Sequence, residues 1–164
     1  MSATQEQCFD NSECDPVEEV RLFEAGETDP GSFDHEAHVR VAWSYLHRYP
    51  AAIAIARFTS ALRSLTTRLG ANDKYHETIS WFFLIVIAER RAACPNGDWQ
   101  SFKKVNRDLF DGSALLRRYY SRDRLDSPDA RRVFLLPDLA PRERANAAQD
   151  RQAVQPGLFG NSPG

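Results

Sequence analysis

At 164 residues and 18.6 kDa, the chain has room for one domain with a real core, and its 42% hydrophobic and 11% aromatic content is ordinary for a soluble globular protein. Its longest apolar run, Trp81 to Ala88, falls far short of the roughly 20 residues a membrane-spanning helix needs. Met1 to Glu6 carry neither the basic nor the apolar part of a secretory signal, so a cytoplasmic protein without a membrane partner is expected.

The formal net charge of −2 hides an uneven distribution. Residues 1–31 hold nine acidic side chains against Arg21 alone, whereas residues 32–137 hold 17 basic against 11 acidic ones. A basic body of this kind favours anionic ligands, or is simply a solvated surface in which arginines alternate with carboxylates. No basic run is dense enough for a nucleic-acid groove, and nucleic acid is not an expected partner. Cys8, Cys14 and Cys94 match neither a disulfide framework nor a zinc C-x-x-C pair, and are read as reduced thiols.

In chain order, residues 1–14 are polar and acidic without an apolar period and are expected to be disordered. Asp15-Pro16-Val17-Glu18 is a helix start, with Asp15 as cap and Pro16 in the first turn, and Gly26 is a fitting stop. A second helix opens near Ser32 or Asp34 and runs to Tyr49. Pro50 opens a third, whose Ile55, Phe58, Leu62, Leu65 and Leu69 keep helical steps up to Gly70. Asn72 or Asp73 is the expected cap of a long helix from Lys74 to Ala92, apolar on nearly every face and hence central. Shorter helices follow. One is capped by Asp98 and carries Trp99, Phe102, Val105 and Leu109; one follows Gly112; one starts at Ser127-Pro128. The expectation is an all-α fold: a single helical domain over 15–137, built as a small bundle of three long helices plus shorter C-terminal ones. A disordered N-terminus over 1–14 and a flexible tail over 138–164 flank it.

The chemistry-bearing residues gather at two helix openings, FDHEAHVRVAW (Phe33 to Trp43) and KYHET (Lys74 to Thr78). His35 and His38 share the inward stripe of their helix with Ala42 and Tyr45 or Leu46. The helices that open at Ser32 and Lys74 are separated by one intervening helix, so they can run parallel and bring their N-terminal turns to one end of the bundle. His35, His38 and His76 could converge there on a first-row transition metal, zinc or iron foremost, because three imidazoles with an open position is a catalytic layout. Glu77, Glu36 and Tyr75 are the candidate acid–base residues of such a metal-dependent enzyme, for hydrolysis or oxygen chemistry. The competing reading is a non-enzymatic module that holds a small molecule, an anion or a partner in the same polar pocket. H-x-x-H histidines near a helix start also serve simply as hydrogen-bonding residues, satisfied by a carboxylate or a backbone carbonyl.

The combination Phe23-Glu24-x-Gly26, FDHEAHVRVAW, GANDKYHETIS, LLRRYYSRDRL and SPDARRVFLLPD resembles a family of small bacterial helical proteins without an assigned activity, over roughly residues 20 to 140. The resemblance implies that His35, His38, Lys74, Tyr75, His76, Glu77 and Thr78 belong to one site; it supplies no reaction. Separately, Gln155-Pro156-Gly157-Leu158-Phe159 is similar to the Q-x-x-L-F peptides that bacterial replication and repair proteins dock on the sliding clamp. Gln155, Leu158 and Phe159 would be the contact residues of such a tail.

Overall fold

A computed structural model describes residues 15–31 and 33–139. Those residues form eight α-helices and two 3₁₀ turns, with no strand among them, so the fold is all-α. The expected disorder of residues 1–14 and the clamp-like peptide at Gln155, Leu158 and Phe159 lie outside the described residues.

α1 (Pro16–Ala25) starts where the capping signal places it. The Val17 N–H donates to Asp15 Oδ1 at 2.9 Å, and Gly26 closes the helix at φ 72°. Glycine suits that left-handed backbone, and the exposed Arg68 guanidinium lies over it in the space a Cβ would take. Val20 and Phe23 are buried against α2 (His35–Arg48). Phe23 stacks on Phe58 at 5.6 Å between ring centroids, and Tyr45 meets both rings edge-on. Burying a side chain such as Phe23 contributes about 1.5–3 kcal/mol. The uneven charge of the sequence is largely resolved inside the fold. Glu19 accepts from Arg40 Nε and from Ser44 Oγ, and Glu24 takes both arms of Arg57 at 2.9 and 2.7 Å. The Arg57 guanidinium beside it holds the Glu24 carboxyl below its ordinary range.

Tyr49, extended at φ −127°, ψ 153°, and Pro50 make the short link from α2 to α3 (Ala51–Arg68), as the restriction on a residue before proline requires. α3 buries Ala54, Ile55, Phe58, Leu62 and Leu65. α4 (Glu77–Ala93) packs on both α2 and α3, with Phe82, Leu84, Val86 and Ile87 buried. It is the central helix expected, although Ile85 and Glu89 face solvent.

The opening of α4 differs from expectation. Asn72–Lys74 form a 3₁₀ turn instead of a cap, and α4 begins at Glu77 with His76 as its N-cap. Histidine is not a usual capping residue, but its Nδ1 accepts from the Ile79 N–H at 3.3 Å and does what an Asn side chain would do. A second difference follows Pro95. α5 (Trp99–Val105) ends early because Asn106 Nδ2 donates to the Phe102 carbonyl at 2.8 Å, and a separate 3₁₀ turn, Arg107–Phe110, carries Leu109. Val105, expected inward, is exposed.

α6 (Gly112–Tyr119), α7 (Arg122–Asp126) and α8 (Pro128–Arg132) wrap back, and α8 packs on α4. The domain extends past its expected end at Pro137. Asp138 accepts from Ser121 N and Oγ at 2.8 and 2.5 Å, and the Leu139 N–H donates to the Tyr119 carbonyl at 3.0 Å. No helix among the described residues is long and apolar enough to cross a membrane.

Candidate functional site

Between α2, α3 and α4 lies a cavity of about 610 Å³. Its deep wall is apolar, built from Ala42, Phe58, Leu62, Leu65, Leu84 and Ile87, which the sequence presented only as core positions. Its other end is polar, and there the N-terminal turns of α2 and α4 meet: Asp34, His35 and His38 from one side, Lys74, Tyr75 and His76 from the other. The expected shared end of two helix openings is thus where the cavity is polar. The pocket as a whole departs from the polar one expected, because most of its lining is apolar and its ionisable groups gather at the two helix openings.

The local folding that places each histidine is specific. Asp34 caps α2, accepting from the Ala37 N–H at 2.9 Å, and its carbonyl accepts from His38 Nδ1 at 2.7 Å. A carbonyl only accepts, so the proton is on Nδ1 of His38, and Nε2 of the neutral ring is bare. The Phe33 ring lies 3.9 Å from the His38 ring, centroid to centroid. Burial pushes the His38 imidazole below its ordinary value, outweighing the Asp34 carbonyl that raises it, so the ring is neutral at physiological pH. His35 is pinned the opposite way round. Its Nε2 donates to the Leu109 carbonyl at 2.7 Å and its ring meets Phe83 edge-on at 5.0 Å, so Nδ1 is the bare nitrogen of its neutral form.

Gly112, which the sequence placed only ahead of a short helix, makes this possible. A Cβ built there would lie 2.6 Å from His35 Nε2 and 3.1 Å from Phe83 Cζ. A close approach of backbone to an imidazole leaves no signal in a single sequence beyond the glycine itself.

His76 belongs to the same cavity wall but has no nitrogen to give. Nδ1 accepts from Ile79 N, and Nε2 donates to the Leu125 carbonyl at 3.0 Å. Among the described residues no group of three or more His, Cys, Asp or Glu side chains is arranged to hold a metal ion. The donor set therefore does not fit the expected zinc or iron centre: His35 and His38 retain one bare nitrogen each, and catalytic zinc sites take three protein ligands.

The candidate acid–base residues are also drawn away. Glu77 is buried on the outer side of α4, where its carboxylate accepts from Arg63, from Tyr75 Oη at 2.5 Å and from Trp81 Nε1 at 2.9 Å. Glu36 pairs with Lys103 and does not line the cavity. Tyr75 does line it, but its hydroxyl is held by Glu77 and burial pushes it up to about 12, so it stays protonated. Thr78, fully buried, donates from Oγ1 to the Val133 carbonyl at 2.9 Å and accepts from the Leu135 N–H at 3.1 Å. Three successive residues of KYHET, His76, Glu77 and Thr78, thus tie the opening of α4 to the segment after α6 and to α3.

No protein-family model, curated protein or solved structure matches this chain.

Proposed function

We propose that this protein is a helical binding module that takes one small, largely apolar molecule into the cavity between α2, α3 and α4, with the polar end of that molecule at His35 and His38. The observation that carries the reading is the cavity itself, about 610 Å³ of space walled mostly by apolar side chains, with polar groups converging where α2 and α4 open. Small-molecule sites commonly span about 300–1,000 Å³ and have this division between an apolar wall and a few orienting polar atoms. A well-packed core of this size tolerates few voids larger than a water molecule. A non-enzymatic role fits the polar residues better than catalysis does, since Glu77 and Glu36 are engaged by cationic side chains elsewhere.

Titration with an uncharged fluorescent apolar probe, N-phenyl-1-naphthylamine, tests this directly. Saturable binding at one site per chain is expected, weakened about tenfold or more by Leu62→Trp, which fills the deep end. Ala42→Leu, a smaller intrusion into the same wall, should weaken it less. Absence of saturable binding, or binding that neither substitution alters in a protein that keeps its helical circular dichroism, would overturn the reading.

A further inference from the structure

The hydrogen-bonding state of the cavity's polar end specifies the head group that fits it. Among the described residues, eight lining side chains carry heteroatoms: Asp34, His35, His38, Thr66, Lys74, Tyr75, His76 and Ser80. Thr66 and Ser80 give their hydroxyl protons to the Arg63 and His76 carbonyls. His76 uses both ring nitrogens on backbone groups, and the Tyr75 proton is given to Glu77. Asp34 is a carboxylate, with Oδ1 on the Ala37 N–H. His35 and His38 each give a ring N–H to a backbone carbonyl, Leu109 and Asp34 respectively. The neutral form of each ring is left with a bare nitrogen, which only accepts. Against these acceptors stands one cation among the described lining residues, Lys74, which like Asp34 is exposed and screened by water.

The surplus is therefore of acceptors. From it we infer that the cavity selects an apolar molecule ending in a hydrogen-bond donor, a hydroxyl or an amine, and discriminates against one ending in a carboxylate. The inference rests on the cavity-binding reading above. A hydroxyl or amine hydrogen would donate to an imidazole lone pair on the cavity wall, whereas a carboxylate would bring a third set of lone pairs against two imidazole acceptors.

The test uses the full chain and three ligands of equal length, 1-decanol, decylamine and decanoate, each displacing N-phenyl-1-naphthylamine at neutral pH. The alcohol and the amine should displace the probe at concentrations about tenfold below decanoate, the size of effect expected of one well-made hydrogen bond. His38→Phe, which keeps the stack on Phe33 and removes the acceptor, should shrink that preference severalfold, and His38→Gln, which restores an acceptor oxygen, should recover part of it. If decanoate displaces as well as decanol, or better, the donor-head inference is wrong while the cavity reading stands. If none of the three displaces the bound probe, the donor-head inference falls and the cavity reading is decided by the probe titration and Leu62→Trp alone. A His38→Phe protein with an undiminished preference would also overturn the assignment, and should that variant not fold, the wild-type comparison of alcohol with carboxylate decides alone.

Discussion

His35 reaches across 74 positions of the chain to donate from Nε2 to the carbonyl oxygen of Leu109, at 2.7 Å. That single bond sets the tautomer of one histidine, ties α2 to the turn before α6, and needs Gly112 beside it. Gly112→Ala should accordingly act through His35. The added Cβ would force the ring or the start of α6 to move, at about 1–3 kcal/mol as for other overpacked sites, and probe binding in the cavity should weaken with it. Gly70→Ala is the matching control: it is strained by a φ of 64° but meets nothing within 4 Å. It should lower stability in urea without altering probe affinity.

Phe82 and Phe83 are neighbours in sequence with different environments. Phe82 is 4% exposed and packs edge-on against Tyr120 at 5.5 Å, whereas Phe83 is half-buried and already borders the cavity. Phe82→Ala should cost about 3–5 kcal/mol, the usual loss for a buried aromatic. Phe83→Ala should cost clearly less, because the space it vacates merges with one that exists. Equal losses in chemical denaturation would show that the cavity is filled by repacking.

Thr78→Val replaces the hydroxyl that serves both the Val133 carbonyl and the Leu135 N–H. With two backbone groups left unpaired beside a fully buried side chain, a loss of about 1–3 kcal/mol is expected. Amide exchange should locate it: Leu135 should lose protection while α3 amides keep theirs up to the global loss.

The depressed ionisation of His38 gives a pH signature whose sign is fixed. Burial is the main cause, with the charge of His35 adding to it and the Asp34 carbonyl and carboxylate opposing. The unfolded chain, with an ordinary value near 6.5, takes up the proton first as pH falls. Stability from this group is therefore full above that value, declines as pH drops towards the lower folded value, and then levels. His38→Gln should flatten that part of the curve in urea midpoints measured across a pH series. Parallel curves for the two proteins would contradict the assignment.

Much of this arrangement was legible in the residues, and the illegible part has physical causes. Asp15-Pro16, Pro50 and the apolar steps of α3 act locally, so the three long helices and α1 could be read directly. The parallel placement of α2 and α4 follows from connectivity, which is why His35, His38 and His76 were expected on one wall. What each imidazole bonds to was not legible, because the partners Leu109 and Leu125 are backbone carbonyls far along the chain, and any residue type offers one. Glu77 looked like a free acid–base residue for the same reason: Arg63 is on α3, and only the packing of α3 on α4 reveals that it arrives at the carboxylate. The cavity itself is space left between Leu62, Leu65 and Ile87, residues that in sequence are indistinguishable from filled core.

The most direct measurement of the central claim is a histidine side-chain ¹⁵N spectrum of the full chain, recorded with and without 1-decanol. Nε2-protonated His35 and His76 and Nδ1-protonated His38 are expected in the free protein. On addition of the alcohol, the bare nitrogens of His35 and His38 should shift while both nitrogens of His76 hold their positions. A spectrum in which His76 moves and the other two stay, or in which no imidazole responds to a bound ligand, would contradict it.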